Sequence, residues 1–188
     1  MRNWKEKTIA ISSERLSLVP IEGGDGREIL EWINNGEIVS NFQFFTGAFS
    51  IEEESRYLTK MADSPTDFLL GLFINNGRFI ELIGTCGLHE IDFKNDTARL
   101  GIIIGKKEHW NEGYAREAIR ALLGFAFNAM NLHKIYLNVF VTNGKAVHLY
   151  AQVGFRIEGT LRSEYKIRGG YVDMYRMAIL REEWKKSV

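Results

Sequence analysis

The stretch of the chain best suited to chemistry is a glycine-containing turn, residues 109–116, between a predicted strand and a predicted helix. Residues 100–105 before it form an apolar run with isoleucines at its centre, which is typical of a strand. Behind it, apolar residues recur at helical spacing over residues 115–130. A helix start offers unpaired backbone N–H groups and the positive end of the helix dipole. The turn therefore predicts an anion site, with Gly113 allowing close backbone approach.

A second segment of interest follows the next predicted strand, residues 134–141. Asn143 is a good helix cap, and Gly154 and Phe155 end the predicted helix that it begins. Within that helix stands Tyr150. From its position alone, this tyrosine is either a core aromatic residue with a satisfied hydroxyl or a proton donor. A phenol with a pKa of about 10 remains neutral at pH 7 and can give up a proton during catalysis.

Several other chemistries lack their motifs in this sequence. The four histidines, at positions 89, 109, 133 and 148, do not show the close pairing of a metal-binding helix or the setting of a hydrolase triad. No Gly-x-Gly-x-x-Gly follows a strand, and no Walker Gly-Lys-Ser/Thr is present. The single cysteine, Cys86, lies in an apolar run and is expected to be buried and inert. The sequence thus predicts no metal, no covalent nucleophile and no dinucleotide fold.

Composition sets the broad class of the protein. The chain has 188 residues, which is most simply a single domain spanning residues 1–188. It carries 24 basic and 24 acidic residues, so its net charge gives no sign of a nucleic-acid partner. No apolar stretch is long enough for a membrane helix, and the first residues lack the apolar centre of a signal peptide. We expect a cytoplasmic protein without a membrane or nucleic-acid partner.

The elements that must position these residues follow the order β-α-α-β-β-β-α-β-α-β-β. A hairpin is predicted around the Asn-Gly of residues 75–78, and a helix is predicted to start at Ser50. Residues 41–45 are unusually aromatic, as in a loop over the core or in the wall of a pocket. Antiparallel strands joined to a β-α-β-α unit predict an α/β fold, with a twisted mixed sheet of about seven strands and helices on both faces.

On residues 99–155 the chain resembles the GNAT superfamily of acetyl-CoA-dependent N-acetyltransferases. The likeness extends from about Arg15 to Trp184 and is nearest to the ribosomal-protein N-terminal and spermidine acetyltransferase branches. The family signature Gln/Arg-x-x-Gly-x-Gly/Ala stands here as Trp110-Asn-Glu-Gly113-Tyr-Ala115, so its first position departs from the usual residue. The second signature, Asn-x-x-Ala/Ser-x-x-x-Tyr followed by Gly-Phe, is complete in the segment that begins at Asn143.

The resemblance implies acetyl-CoA as co-substrate and no metal. The pyrophosphate of acetyl-CoA is expected to bind at the turn, where Arg116 and Lys145 add positive charge. The pantetheine arm is expected to lie along the central strand. A backbone N–H of that strand is expected to polarise the thioester carbonyl. The implied cofactor-binding residues are Ile102, Ile103, Ile104, Trp110, Asn111, Glu112, Gly113, Tyr114, Ala115, Arg116, Asn143 and Lys145.

For catalysis, the resemblance makes Tyr150 the acid that protonates the leaving thiolate. Relatives often carry a glutamate where this chain has Arg99. Glu90, on the preceding strand, is therefore the predicted substitute as general base, with a water relay as the alternative. The same resemblance is compatible with a homodimer.

The acceptor is expected to be a primary amine. An N-terminal α-amine, with a pKa of about 7.7–8.0, needs less help to lose its proton than a polyamine with a pKa of about 10.4. A protein or peptide N-terminus is therefore the first expectation, and polyamines, amino sugars and aminoglycosides are alternatives. A deep acidic pocket would favour a polyamine, and an open groove a peptide. A non-catalytic acyl-CoA-binding module is the alternative from another class, which Tyr150 argues against.

Overall fold

The computed structural model describes residues 11–21, 25–39, 48–75, 80–167 and 169–187. Eight strands are formed within them: β1 (Ile11–Ser12), β2 (Leu16–Pro20), β3 (Phe68–Asn75), β4 (Ile80–Asp92), β5 (Thr97–Ile104), β6 (Lys134–Phe140), β7 (Arg156–Ile167) and β8 (Gly170–Leu180). The helices are α1 (Gly26–Ile33), α2 (Gly36–Val39), α3 (Ile51–Asp63), α4 (Tyr114–Asn128), α5 (Gly144–Val153) and α6 (Arg181–Ser187), with a 3₁₀ turn at Lys107–His109.

The strands form one mixed sheet in the order β1-β2-β3-β4-β5-β6-β8-β7. Among the described strands, β5 and β6 are the only parallel neighbours, and they are connected through α4, as a parallel pair requires. Their pairing covers only residues 97–99 of β5 and 134–136 of β6. Beyond Arg99 the two strands part, and the edge of β5 on that side has no neighbouring strand among the described residues.

The predicted mixed α/β sheet is confirmed, with one strand more than the seven expected. The additional strand is β1, a two-residue strand too short to give a sequence pattern. The short helix α2 and the terminal helix α6 were also not predicted. Residues 41–45, expected to form a loop or a pocket wall, and most of the Asn-Gly turn lie outside the described residues.

Alternation along β5 sends side chains to two different layers, because successive residues of a strand point to opposite faces. Ala98 and Leu100 join the main core, to which α4 contributes its buried face. Ile103 packs instead on the other side, in a second cluster built around Trp32 of α1. The sheet is therefore covered on both faces, and the parting of β5 and β6 connects the two layers.

Helix α3 starts as predicted at Ser50. The Ser50 hydroxyl accepts a hydrogen bond from the Glu53 amide at 3.2 Å, and the Glu53 carboxylate accepts one from the Ser50 amide at 2.8 Å. This capping box satisfies two backbone donors that a helix start would leave unpaired. None of the described helices combines the length and hydropathy needed to cross a bilayer.

Candidate active site

A cavity of about 800 Å³ opens where β5 and β6 part. One end, called here the α5 end, is lined by Ala115, Asn143, Ala146 and Tyr150. The other, called the α3 end, is lined by Glu53, Glu54, Tyr57, Asp67, His89 and Arg99. Ile102, Ile103 and Ile104 of β5 line the cavity between the two ends. The structure thus joins the two sequence segments that the motifs singled out.

The turn before α4 leaves its backbone donors free. Gly113 is the N-cap residue with φ of +87°, and no side chain caps the helix. Asn111 also has a positive φ, of 64°. Within the described residues, the backbone N–H groups of residues 111–116 donate to no protein acceptor. Consecutive free amides at a helix start are the arrangement that binds phosphate groups.

Arg15, which sequence analysis did not single out, contacts this turn through its guanidinium, in an ion pair with Glu117. Its Nε donates to the Glu117 carboxylate at 2.8 Å, and one terminal nitrogen donates to the Glu112 carbonyl at 3.1 Å. Its guanidinium also lies 4.3 Å from the centre of the Tyr114 ring. Arg116 and Lys145, the predicted cationic residues, are both exposed. The cation that the structure fixes against the turn is therefore Arg15.

Trp110 positions the turn relative to the strand. Its indole N–H donates to the Ile104 carbonyl at 2.9 Å, at the end of β5. Its ring packs against the cluster around Trp32, and Trp32 in turn lies so close to Gly105 that a Cβ there would fall 1.9 Å from the indole. The aromatic residue at the first position of the turn motif therefore holds the strand end, the turn and α1 together.

At the α5 end, Asn143 and Tyr150 face the same cavity. The Asn143 side-chain oxygen accepts a hydrogen bond from the Ala146 amide at 3.2 Å, so this residue caps α5 and keeps its amide NH₂ for a ligand. The Tyr150 ring packs edge-on against Phe155, with ring centres 5.9 Å apart. Its hydroxyl has no hydrogen-bond partner among the described residues. Burial raises the pKa of Tyr150 to about 12, which keeps the phenol protonated.

The α3 end of the cavity is acidic. Glu54 is only 4% exposed, and no hydrogen bond or ion pair engages its carboxylate in the described part of the chain. Burial raises the pKa of this carboxyl group. Glu53 and Asp67 line the same end, whereas Arg99 is the one guanidinium among the described lining residues. Because Arg99 is paired with Glu90, the charge presented to a ligand is negative.

Glu90, the predicted base, lies outside the cavity lining. A β-bulge occurs between His89 and Asp92, and Glu90 itself has φ of +52°. Its carboxylate accepts hydrogen bonds from Arg99 Nε at 3.0 Å and from the Tyr136 hydroxyl at 2.9 Å. Burial acts to raise the pKa of Glu90, but Tyr136 and Arg99 outweigh it and hold the pKa below its usual value. The structure does not bring Glu90 together with Tyr150.

His89, the residue before it, does face the cavity. Its Nδ1 lies 3.0 Å from the Asp67 carboxylate, whose other oxygen accepts a hydrogen bond from the Ser64 hydroxyl at 2.5 Å. Burial lowers the pKa of His89, although Asp67 opposes this effect, so the ring is neutral at pH 7. This pair was missed because its members lie on different elements, 22 positions apart in the sequence.

Three comparisons place this geometry among known proteins. The family model of the acetyltransferase (GNAT) domain matches residues 15–156. The spermidine N(1)-acetyltransferase of Vibrio cholerae is 38% identical over 173 residues, which cover 92% of this chain and 96% of that protein. The spermidine N(1)-acetyltransferase of Escherichia coli K12 is 28% identical, over 92% and 90% of the two chains. The crystal structure of spermidine N-acetyltransferase from Vibrio cholerae in complex with CoA and spermine superposes with a TM-score of 0.85, at 36% identity and 92% and 99% coverage.

The chain belongs to the GNAT acetyltransferase family and is an acetyl-CoA-dependent N-acetyltransferase. The residues fit this co-substrate: the free amides of the turn, beside Arg15 in its ion pair with Glu117, would hold the pyrophosphate, and the open edge of β5 would hold the pantetheine arm. Bound acetyl-CoA supplies an acetyl thioester. Tyr150, at the α5 end, keeps its phenol protonated and lines the cavity that would hold the thioester.

Proposed function

We propose that this N-acetyltransferase acetylates a primary amine of a polyamine such as spermidine or spermine. The observation that carries the proposal is Glu54, a buried residue at the α3 end of the cavity, whose carboxylate has no hydrogen-bond or ion-pair partner among the described residues. Burying a charge is costly unless a partner compensates it. A second cationic group of the acceptor supplies that partner, and a monoamine does not.

The apolar residues at the α3 end fit the methylene segments of a polyamine. Leu58, Met61 and Leu69 line the cavity beside the carboxylates. Apolar side chains suit the methylene segments between the amines, and Glu53 and Asp67 add negative charge near them. An elongated cation with apolar segments thus matches both kinds of lining.

The relatives support a polyamine more than the peptide N-terminus that the sequence first favoured. The Vibrio cholerae and Escherichia coli proteins are both spermidine N(1)-acetyltransferases, and they align with nearly the whole of this chain. The acidic residues at the α3 end of the cavity agree with that class of acceptor. We therefore do not retain a peptide N-terminus as the first choice.

In the proposed reaction, each residue has a role that follows from its position in the cavity. The free amides of the turn and Arg15 bind the phosphates, and the Asn143 amide is placed to bond the pantetheine arm. Glu54 binds the distal ammonium of the acceptor, which orients the near amine toward β5. Tyr150 donates its proton to the sulfur as the carbon–sulfur bond breaks, so that the leaving group departs as a neutral thiol.

The test is a comparison of spermidine with butylamine, which offers a primary amine but no second cation. Initial rates of CoA thiol release are measured for both at pH 8. A charged hydrogen bond of about 1.5–3 kcal/mol corresponds to about a 10- to 100-fold preference for spermidine in kcat/KM. Equal kcat/KM values for the two amines would overturn the polyamine assignment.

A further inference from the structure

The imidazole of His89 occupies a space made by two glycines. Gly87 of β4 and Gly101 of β5 are paired across the sheet. A Cβ on Gly87 would lie 3.3 Å from His89 Nε2, and one on Gly101 would lie 3.2 Å from the same nitrogen. The ring therefore lies over two adjacent positions that carry no side chain, with Nε2 close to both.

Asp67 determines which ring nitrogen carries the proton. Burial acts to raise the pKa of Asp67, but the hydrogen bonds from Ser64 and His89 outweigh it and lower the pKa, so the group is ionised. An ionised carboxylate only accepts hydrogen bonds, so Nδ1 of His89 must be the protonated nitrogen. The lone pair of the neutral ring is then on Nε2, the nitrogen over Gly101.

The charged groups around the ring come from several elements. Asp67 approaches from the segment before β3, Arg99 from β5 and Glu90 from β4, and all three act on the ring electrostatically. Glu54 and Tyr57 of α3 line the same end of the cavity. Burial, with a smaller contribution from Arg99, lowers the pKa of the imidazole against the opposing effects of Asp67 and Glu90, which keeps the lone pair available near neutral pH.

From this arrangement we propose that His89 is the general base of the acetyl transfer, with Asp67 as its positioning residue. The inference rests on the proposed acetylation of an amine, and it does not depend on which amine is the acceptor. Nε2 takes the proton that the attacking nitrogen loses as its bond to the acetyl carbon forms. The nitrogen in that bond is more acidic than a free ammonium group, so a weakly basic imidazole suffices to accept its proton.

The step balances without any further reactant. The acceptor reaches β5 as a neutral amine, having lost its first proton to water. The nitrogen–carbon bond forms and the carbon–sulfur bond breaks, and the electron pair of the broken bond leaves with sulfur. Sulfur takes the proton of Tyr150, and His89 takes the proton of the nitrogen. The imidazolium proton then returns through solvent to the Tyr150 phenolate, which restores both groups.

The experiment measures steady-state kinetics of His89→Gln, His89→Gly, Asp67→Asn and Glu90→Gln between pH 6 and 10. The matched control is His133→Gln, which changes an exposed histidine of the α4–β6 connection. Binding of acetyl-CoA to every variant is followed by thermal unfolding, since a ligand of the native state raises the midpoint. Each series uses the amine that the native enzyme acetylates fastest. An error in the proposed acceptor class is therefore detected from the native enzyme's rates with different amines, and it does not affect the comparison of the variants.

We expect kcat of His89→Gln to fall about 10²- to 10⁴-fold, the usual contribution of a general base, with the acetyl-CoA shift retained. Added imidazole should restore part of the rate of His89→Gly, because the base then fills the space over the two glycines. Asp67→Asn should lower kcat and move the acid limb of the pH profile, while His133→Gln matches the native enzyme. Full activity of His89→Gln, or a loss confined to Glu90→Gln, would overturn the proposal.

Discussion

The imidazole of His89 lies over Gly101, with its Cδ2 and Nε2 atoms both 3.2 Å from the point that a Cβ on residue 101 would occupy. This separation is shorter than an ordinary Cβ contact, so a side chain at residue 101 would displace the ring. The contact joins β4 and β5 at the cavity, and it makes the placement of the ring sensitive to a single methyl group.

Gly101→Ala should therefore impair catalysis more than folding. The added methyl group displaces the His89 ring by a few tenths of an ångström, and a small misplacement of a reacting group is costly. We expect kcat to fall about tenfold, as measured by thiol release at saturating substrates. Gly124→Ala is the control: a Cβ at this position in α4 meets nothing within 4 Å, and alanine there should stabilise the helix by about 0.5–1 kcal/mol. Native kcat in Gly101→Ala would count against the ring placement.

Tyr150→Phe should slow the chemical step and leave the binding of acetyl-CoA unchanged. The variant keeps the ring that packs on Phe155 but removes the proton donor, so kcat should fall about 10²- to 10⁴-fold while the acetyl-CoA thermal shift persists. Tyr171→Phe, at an exposed tyrosine of β8, should behave as the native enzyme. Since the pKa of Tyr150 is raised to about 12, the native rate should show no loss from its ionisation up to pH 10. Loss of activity and of acetyl-CoA binding together would mean a structural role.

Gly113→Ala should weaken acetyl-CoA binding. Residue 113 has φ of +87°, a left-handed conformation that costs a non-glycine residue about 1–2 kcal/mol. The turn must rearrange to relieve this strain, and its free amides then lose their common direction. Calorimetric titration with CoA should show a dissociation constant raised about tenfold or more. Unchanged affinity would indicate that the phosphates bind elsewhere.

Glu54→Gln should stabilise the folded protein and weaken its binding of the polyamine acceptor. The native-state pKa of Glu54 is raised by burial, so the folded protein holds this proton more tightly than the unfolded chain. Stability therefore falls as pH rises from the ordinary glutamate pKa through the raised one. Melting curves should show Glu54→Gln more stable than the native enzyme at pH 8, with the difference vanishing near pH 4.

The same variant should raise KM for spermidine and leave that for butylamine unchanged. Glu52→Gln, at an exposed residue of the same helix turn, provides the control for a lost charge. A Glu54→Gln variant with native KM for spermidine would remove the reason for assigning the distal ammonium to this residue.

The parts of the site that the sequence predicted are those carried by contiguous residues. The turn around Gly113 and the segment from Asn143 to Tyr150 are local patterns, because a helix start and a cap depend on near neighbours. The mixed sheet followed from the same local periodicities. The role of Trp110 was harder to see, since its bond to Ile104 depends on how the strand end meets the turn.

The parts that the sequence missed depend on distant contacts. Arg15 reaches Glu117 across 102 positions, and no local pattern signals such a pairing. Glu90 was chosen as a carboxylate on the strand next to Arg99, and the β-bulge after His89, which places Glu90 outside the cavity lining, could not be read from the sequence. His89 could have been noted as a histidine between glycine-rich stretches of two strands, but only the fold brings Asp67 to its ring. The burial of Glu54 likewise depends on how α3 packs.

The most direct test of the account is a competition in one vessel. The enzyme receives limiting acetyl-CoA with equal concentrations of spermidine and a short peptide bearing a free N-terminus, and both products are quantified by mass spectrometry. The product ratio reports the ratio of the two kcat/KM values. The account predicts acetylspermidine as the dominant product, with the peptide essentially unmodified. Preferential acetylation of the peptide would contradict the polyamine assignment.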